Sequence, residues 1–383
     1  PDPRAPLPGD PPHERRNIAT QIGSPQKSGD GNSTFPMKGF VQSYPGTINL
    51  DGKDTPVVMG YFTGEDLPTY NFFVENFAIC DRWFSSLPAG TQANRLMAMS
   101  GQSLIETNQH VLPEQKLVYD WLNEHGVRWR VYHEGLPFFA LMPAWAPKIL
   151  QADSFRSFEK FDDDFIHESD ETHPQVIFIE PRYTNAPHID TPHDDHAPSP
   201  VDGGQRFLME VYAAVTANPE RWSKSVMIVT YDEHGGFFDH VSPLDVPQAY
   251  PATAGKFPEF ASTGVRVPAF VISPFVEPRQ VFDGNLDHTS MLQLLGEKFG
   301  GGKYSDLVDA RKAAGIGSVS SVLGLAAGRP GPPPSPPAVT EGFTPESTPF
   351  DAMSLAFSKA WEGLKTADKA AAKTLFPKLF SHF

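Results

Sequence analysis

Basic residues are in short supply. The chain carries 31 Lys and Arg against 46 Asp and Glu, a formal charge of −15, and it has no Lys/Arg cluster of the kind that nucleic acid or an anionic membrane attracts. No nucleic-acid partner is expected, and an anionic substrate would need a locally positive site. Cysteine is almost absent. Cys80 alone excludes an internal disulfide, so packing must hold the fold. In the apolar setting FAICDRWF its thiol reads as a small buried side chain rather than a nucleophile. Long apolar runs are missing too: nothing approaches the roughly 18 residues of a membrane span. No secretory leader is visible, and because the chain begins with Pro1 rather than Met we expect an N-terminal segment to be missing.

What the chain does have is enough length, 383 residues, for one large α/β domain or two ordinary ones. Residues 1–50, rich in Pro, Gly, Ser and Asn, read as an irregular segment wrapped on a core. Leu67, Tyr70, Phe73, Val74 and Phe77 share one helical face, with Asp66 as the expected cap and Pro68 tolerated in the first turn. KLVYDWLNEHG repeats that pattern and stops at Gly126, after which VRWRVYHE reads as a strand. PQVIFIEP, SVMIVTYDE and VPAFVISP read as buried strands, and GGQRFLMEVYAAVTANPERW and HTSMLQLLGEKFG as amphipathic helices. Continuous apolar strands alternating with helices predict an α/β fold with a mostly parallel sheet covered by helices on both faces. Ligands in such folds bind at the C-terminal ends of the strands. We expect a main domain over 1–325, a proline-rich connector over 326–347 and a helical tail over 348–383, its face carrying Met353, Phe357, Trp361 and Leu364.

Chemistry gathers in three places. The strand SVMIVTY ends by crowding Asp232, Glu233 and His234 in front of Gly235 and Gly236. Two carboxylates held close are costly unless a cation or proton separates them, so a divalent metal is the expected partner. Oxygen ligands favour a hard ion, and the neighbouring imidazole leaves room for a softer one. The second place is SSLPAGTQANRLMAMSG, where Thr91 stands at the start of a helix. There backbone N–H groups favour an anion or alkoxide, although on local sequence alone Thr91 reads first as a plain N-cap. A threonine hydroxyl becomes a nucleophile only when a base or metal strips its proton. Third, His13, His196 and His288 recur beside acidic residues at loop-to-helix junctions.

TYDEHGGFFDHVSP, GVRVPAFVISPFV with DHTSMLQLLGEKF, DDHAPSPVDGGQRFLMEVYAAV and FAICDRWFSSLPAGTQANRLMAMSG together resemble a family of bacterial and plant phosphoesterases. That family includes phospholipases C of phosphatidylcholine type and a respiratory-burst-inhibiting acid phosphatase. The resemblance runs from about His13 to Gly300 and implies an alkaline-phosphatase-like three-layer core, one divalent metal ion of unknown identity, and hydrolysis through a covalent phospho-enzyme. On that resemblance Thr91 is the nucleophile, Asn94 a phosphate-contacting amide, and Asp232 and Glu233 metal ligands. His13, His196 and His288 contact the phosphate, and His196 or His288 protonates the leaving group. His234 and His240 match positions of looser role.

Relatives also carry, near their start, a strand followed by a Glu-Asn pair that completes the metal site. The only Glu-Asn here, Glu75-Asn76, lies inside a helical pattern. The resemblance thus implies an N-terminally incomplete chain, secreted or periplasmic in location. The expected substrate is a phosphate ester or phospholipid, with LPFFALMPAW (136–145) as a candidate apolar rim. An acid phosphatase acting on monoesters and an inactive chain with a binding role stand as alternatives.

Overall fold

A computed structural model describes residues 7–27, 29, 32–50, 52–151, 153–187, 192–247, 261–337 and 352–380. In chain order its longer elements begin with α1 (Arg15–Ile22), α2 (Pro68–Asn76), β1 (Ala78–Cys80), α3 (Thr91–Ser100), α4 (Val118–Glu124), β2 (Trp129–His133), β3 (Phe155–Ser157) and β4 (Val176–Glu180). They continue with α5 (Asp202–Ala217), β5 (Met227–Thr230), β6 (Ala269–Ile272), β7 (Gln280–Phe282), α6 (Thr289–Phe299) and α7 (Ala352–Ala367). Each apolar run read as a strand forms one. The opening segment departs from expectation, because Ile18 and Ile22 on α1 pack with Phe35, Met37, Phe40, Val58 and Val265 into a small core of their own. At α2 the cap position is Leu67; the Asp66 carboxylate instead accepts hydrogen bonds from the Thr63 backbone and hydroxyl at 2.7 and 2.8 Å.

The sheet architecture corrects the expectation of a mostly parallel arrangement. Strands in the order β5-β6-β1-β7 form one sheet in which β5–β6 and β6–β1 are antiparallel and only β1–β7 is parallel. A separate sheet, β3-β2-β4, is parallel throughout. Among the described residues between β5 and β6 there is no helix, and the two strands pair antiparallel.

Helix α5 buries Phe207, Val211, Tyr212 and Val215 with Phe73 and Phe77 against Phe270 and Val271 of the mixed sheet. On the other side, Val118, Tyr119 and Leu122 of α4 join Trp129 and Val131 of β2, and Met353, Phe357, Trp361 and Leu364 of α7 close over them. Full burial of each such side chain is worth about 1.5–3 kcal/mol. The tail is broken into α7 and two shorter helices, Lys369–Leu375 and Pro377–Phe380. Part of the proline-rich stretch lies along the body: Tyr212 donates to Pro334 O at 2.8 Å, and Arg329 Nη2 to Asn76 O at 2.9 Å. Connector residues 338–347 and tail residues 348–351 and 381–383 lie outside the described residues. Among the described residues no helix is long and apolar enough to cross a membrane.

Of the stretch 136–145 only Phe138 lines the cavity at the candidate active site. Leu136, Phe138, Phe139, Ala140, Leu141, Met142 and Trp145 are buried in the core beneath α7. Cys80 is also buried, and loss of solvation pushes its thiol up to about 12, which keeps it inert.

Candidate active site

Strands β4 and β5 bring their C-terminal ends to one place. Glu180 closes β4, Asp232 follows β5, and both act on the Arg95 guanidinium of α3. A cavity of about 1280 Å³ opens here, and Thr91, Arg95, His196, Asp232 and His288 all line it. Residues spread over almost two hundred positions therefore share one enclosure.

Thr91 is the first helical residue of α3, while the cap position is held by Gly90, which has no side chain to satisfy the first turn. The hydroxyl is thus not an N-cap. Only Gln92 N is met by a side chain, Asn108 Oδ1 at 3.0 Å. Gly90 is also needed for space: a Cβ there would lie 3.3 Å from His13 O and 3.6 Å from the Glu14 carboxylate. Asn94 does something other than expected. Its Nδ2 donates to Leu87 O at 3.1 Å, Ala89 O at 2.6 Å and Gly90 O at 3.3 Å, and its Oδ1 accepts from Leu87 N at 2.8 Å. With its polar atoms bonded to the loop, this buried amide braces the segment that presents Thr91.

The glycines after Glu233 make room for a second acidic and imidazole group. Gly236 has φ +78°, and a Cβ on it would lie 2.9–3.0 Å from Pro11 and from Pro12 O. Its absence lets the 10–13 segment press against the Asp-Glu turn. That segment delivers Asp10 and His13 beside His196, with ligand atoms of the three within 4.8 Å of one another. Asp10 lies 3.5 Å from each imidazole, and the two rings meet edge to face at 5.2 Å. Burial alone would lower both histidines. For His196 the carboxylates of Asp10, Asp194 and Glu233 overcome that cost and push it up to about 10; His13 is raised by Glu233 and Asp10. Glu233 is itself pushed up to about 7, chiefly by burial, with Asp232 adding to it and the two histidines opposing.

This donor set fits a divalent ion. Crowded, poorly solvated carboxylates with two imidazoles are the groups such an ion stabilises, and mixed oxygen and nitrogen donors suit a borderline ion such as zinc. Asp10 escaped the sequence reading, although its place three residues before His13 was the available signal. Arg95 lies inside the motif SSLPAGTQANRLMAMSG, where spacing alone does not mark it out. The guanidinium lies 2.5 Å from Tyr183 Oη and 3.6 Å from Glu180, and stacks 4.6 Å over Phe138, which places a fixed cation in the cavity wall.

His288 is a different case. Its Nδ1 accepts from Trp83 Nε1 at 3.3 Å, and indole can only donate, so the proton sits on Nε2 and is given to Asp232 O at 2.8 Å. Burial lowers its pKa. A neutral ring with both nitrogens engaged positions the Asp232 backbone. His234 is nearly sealed, donating from Nε2 to Gln21 Oε1 at 2.9 Å, whereas the His240 side chain is 77% exposed. Asp195, unforeseen as well, is a shared acceptor for Tyr70 and Tyr231 deep in the cavity wall, and burial pushes it up to about 7.

Comparison with known proteins identifies the family. The model of the phosphoesterase family matches residues 5–301. Non-specific phospholipase C4 of Arabidopsis thaliana is 36% identical over 290 residues, covering 72% of this chain and 52% of that protein. Phospholipase C B of Mycobacterium tuberculosis is 30% identical over 332 residues, covering 74% of this chain and 58% of its own length. The chain thus spans about half the length of the curated relatives it matches. Among solved structures, an alkaline phosphatase superfamily protein from Vibrio parahaemolyticus aligns with a TM-score of 0.40 at 12% identity, over 81% of this chain and 82% of that one. With its family model matched across most of its length and its acidic, imidazole and hydroxyl groups converging on one cavity, the chain belongs to the phosphoesterase family.

Proposed function

We propose that this chain hydrolyses phosphate esters, with phospholipase C-like cleavage of a phosphodiester as the leading reading and Thr91 as the nucleophile, on an alkaline-phosphatase-like three-layer core. The observation that carries it is that Thr91, first residue of a ten-residue helix without a capping side chain, lines the same cavity as Asp232 and His196. Asp232 and Glu233 would hold a divalent ion; such an ion lowers the pKa of a hydroxyl it touches and draws in an anionic phosphoryl group.

The chain's own residues do the rest. Thr91 Oγ attacks in line, forming the bond to phosphorus as the bond to the alcohol oxygen breaks, and water later cleaves the phosphothreonine. The free N–H groups of the first turn of α3 face the developing negative charge. His196, raised to about 10, is held as a cation that neutralises phosphoryl oxygens and gives its proton to the leaving alkoxide, whose conjugate alcohol is a far weaker acid. His13, raised in the same way, supports it. Together with Arg95 they give a net-negative chain a locally positive well.

The names of the curated relatives favour the lipid diester over the monoester. Release of diacylglycerol from phosphatidylcholine, compared with phosphate release from an aryl monoester, separates the two, and silence on both with divalent metal present would leave only a binding role. Thr91→Val is expected to abolish turnover on whichever substrate is active, by a factor of at least ~10³, with an unchanged unfolding midpoint. Substantial residual activity would place the nucleophile elsewhere.

A further inference from the structure

Among the described residues seven large apolar side chains stand exposed, and four of them, Val41, Met59, Tyr61 and Phe238, belong to segments that touch. Phe238 N donates to Val58 O at 2.9 Å, which sets residues 58–61 beside 238. The Phe238 ring meets Phe40 edge to face at 5.3 Å, and Phe40 and Val58 are both buried in the small core built on α1. These segments thus turn one apolar side inward and another outward. Val41 is 41% exposed, Phe238 40%, Met59 39% and Tyr61 78%. Single exposed apolar side chains are ordinary on a protein surface; a group of them on one face marks an interaction site.

The face adjoins the active site. Phe238 follows Asp232 and Glu233 on the same turn. Gln21 of α1 accepts from His234 Nε2 at 2.9 Å and donates to Pro12 O at 2.8 Å, so the core beneath the face also steadies the 10–13 segment at the rim. None of the four side chains lines the cavity itself. On and beside these segments Asp54, Glu65, Asp66 and Asp245 outnumber Lys38 and Lys53, and Arg266 is already held by Asp239 at 2.7 and 2.8 Å.

We propose that Val41, Met59, Tyr61 and Phe238 form a docking face for the surface of a zwitterionic, choline-headed phospholipid aggregate and hold the Asp232-Glu233 turn against it. Charge selects this partner. A chain of formal charge −15 is repelled by an anionic bilayer, whereas a choline-headed surface presents trimethylammonium groups outermost, which carboxylates and the face of a tyrosine ring attract. Tyrosine, with an apolar ring and a polar hydroxyl, settles at a membrane–water boundary, and Val, Met and Phe beside it supply apolar area to enter the headgroup layer. The choice of phospholipid rests on the proposed phosphodiester reaction, so docking is read by binding as well as by turnover.

The full 383-residue chain is sedimented with vesicles of phosphatidylcholine alone and of phosphatidylcholine mixed equally with phosphatidylserine. Tighter binding is expected to the first. Tyr61→Ser combined with Phe238→Ser is expected to lower partitioning onto phosphatidylcholine on the order of tenfold with an unchanged unfolding midpoint. Tyr61→Ser alone, which keeps the Phe238 contact with Phe40, is expected to lower it roughly threefold, and Tyr61→Trp to keep or raise it. With divalent metal present, the double variant is expected to match the unsubstituted chain on monomeric short-chain phosphatidylcholine and to lose turnover only on vesicles. Failure of the proposed reaction would show as silence of the unsubstituted chain on both substrates, and sedimentation would still decide the docking face. Equal sedimentation of the unsubstituted chain and the variants, a preference for the mixed vesicles, or no sedimentation at millimolar lipid would overturn the proposal. So would concentration-dependent dimerisation that the double variant loses, which would give the face to a second copy.

Discussion

His196 at the rim of the cavity and His133 beneath the tail are both largely enclosed, yet they are driven in opposite directions. His196 rises to about 10 because Asp10, Asp194 and Glu233 outweigh the cost of burial. His133 falls to about 4 because burial acts there almost unopposed: its ring lies 5.2 Å from Phe376, Nδ1 donates to Gly135 O at 2.7 Å, and among the described residues Nε2 has no hydrogen-bond partner. Removal from water always disfavours the imidazolium, and only nearby carboxylates reverse the sign. One region is thus built to hold charge and the other to exclude it, which is what separates a reaction site from a packing seam.

The strongest way to break this comparison is to open the seam. Trp361, 1% exposed, packs edge to face on Phe376 and Phe380. Trp361→Ala should cost about 3–5 kcal/mol of stability by leaving a cavity under α7. With water admitted, the NMR titration of His133 should move up toward 6.5, while that of His196 stays where it is. Movement of both would mean that the regions are not independent.

A gentler probe is acid. The folded pKa of His133 lies below its unfolded value, so the folded state loses nothing above pH 6.5. Between 6.5 and about 4 the unfolded chain takes a proton that the folded chain refuses, and stability drains at about 1.4 kcal/mol per pH unit, roughly 3 kcal/mol in all. Urea titrations of His133→Phe across that window should show a slope shallower by that amount. An unaltered slope would show that His133 is hydrated.

At the rim the reverse experiment applies. Asp10→Asn removes one of three carboxylates facing His196, and because the Asp10 side chain is 35% exposed its effect is partly screened. The pKa of His196 should drop by roughly 1 unit, read from its ring proton shifts. No movement would assign the raised value to Asp194 and Glu233 alone.

Much of this was open to a reader of the sequence. The strands VIFIE, MIVT and AFVI are apolar on both faces, and the acidic turn after MIVTY announces itself. Sheet direction was hidden, since β-propensity says where strands are and chain routing says how they pair. Asn94 and His288 were found as motif positions, but their work depends on partners, Leu87 to Gly90 in one case and Trp83 in the other, that no spacing rule reveals. LPFFALMPAW illustrates the same limit from the apolar side. Hydrophobicity foretells burial somewhere, and only the docked α7 decides that it is core.

The smallest expected effect is also a control on the whole comparison. His240 sits 3.6 Å from Asp239 as His196 sits near Asp10, yet its side chain is 77% exposed and Asp239 is already held by Arg266 through two hydrogen bonds of 2.7 and 2.8 Å. If enclosure rather than a nearby carboxylate is what gives the rim histidines their weight, this exposed pair should matter little, because water screens it. His240→Ala should then change the unfolding free energy by less than about 0.5 kcal/mol and leave turnover within a factor of about two. A larger loss of activity with stability intact would mean that substrate reaches beyond the cavity to this loop, and that charge at the rim is organised over a wider surface than Asp10, His13 and His196.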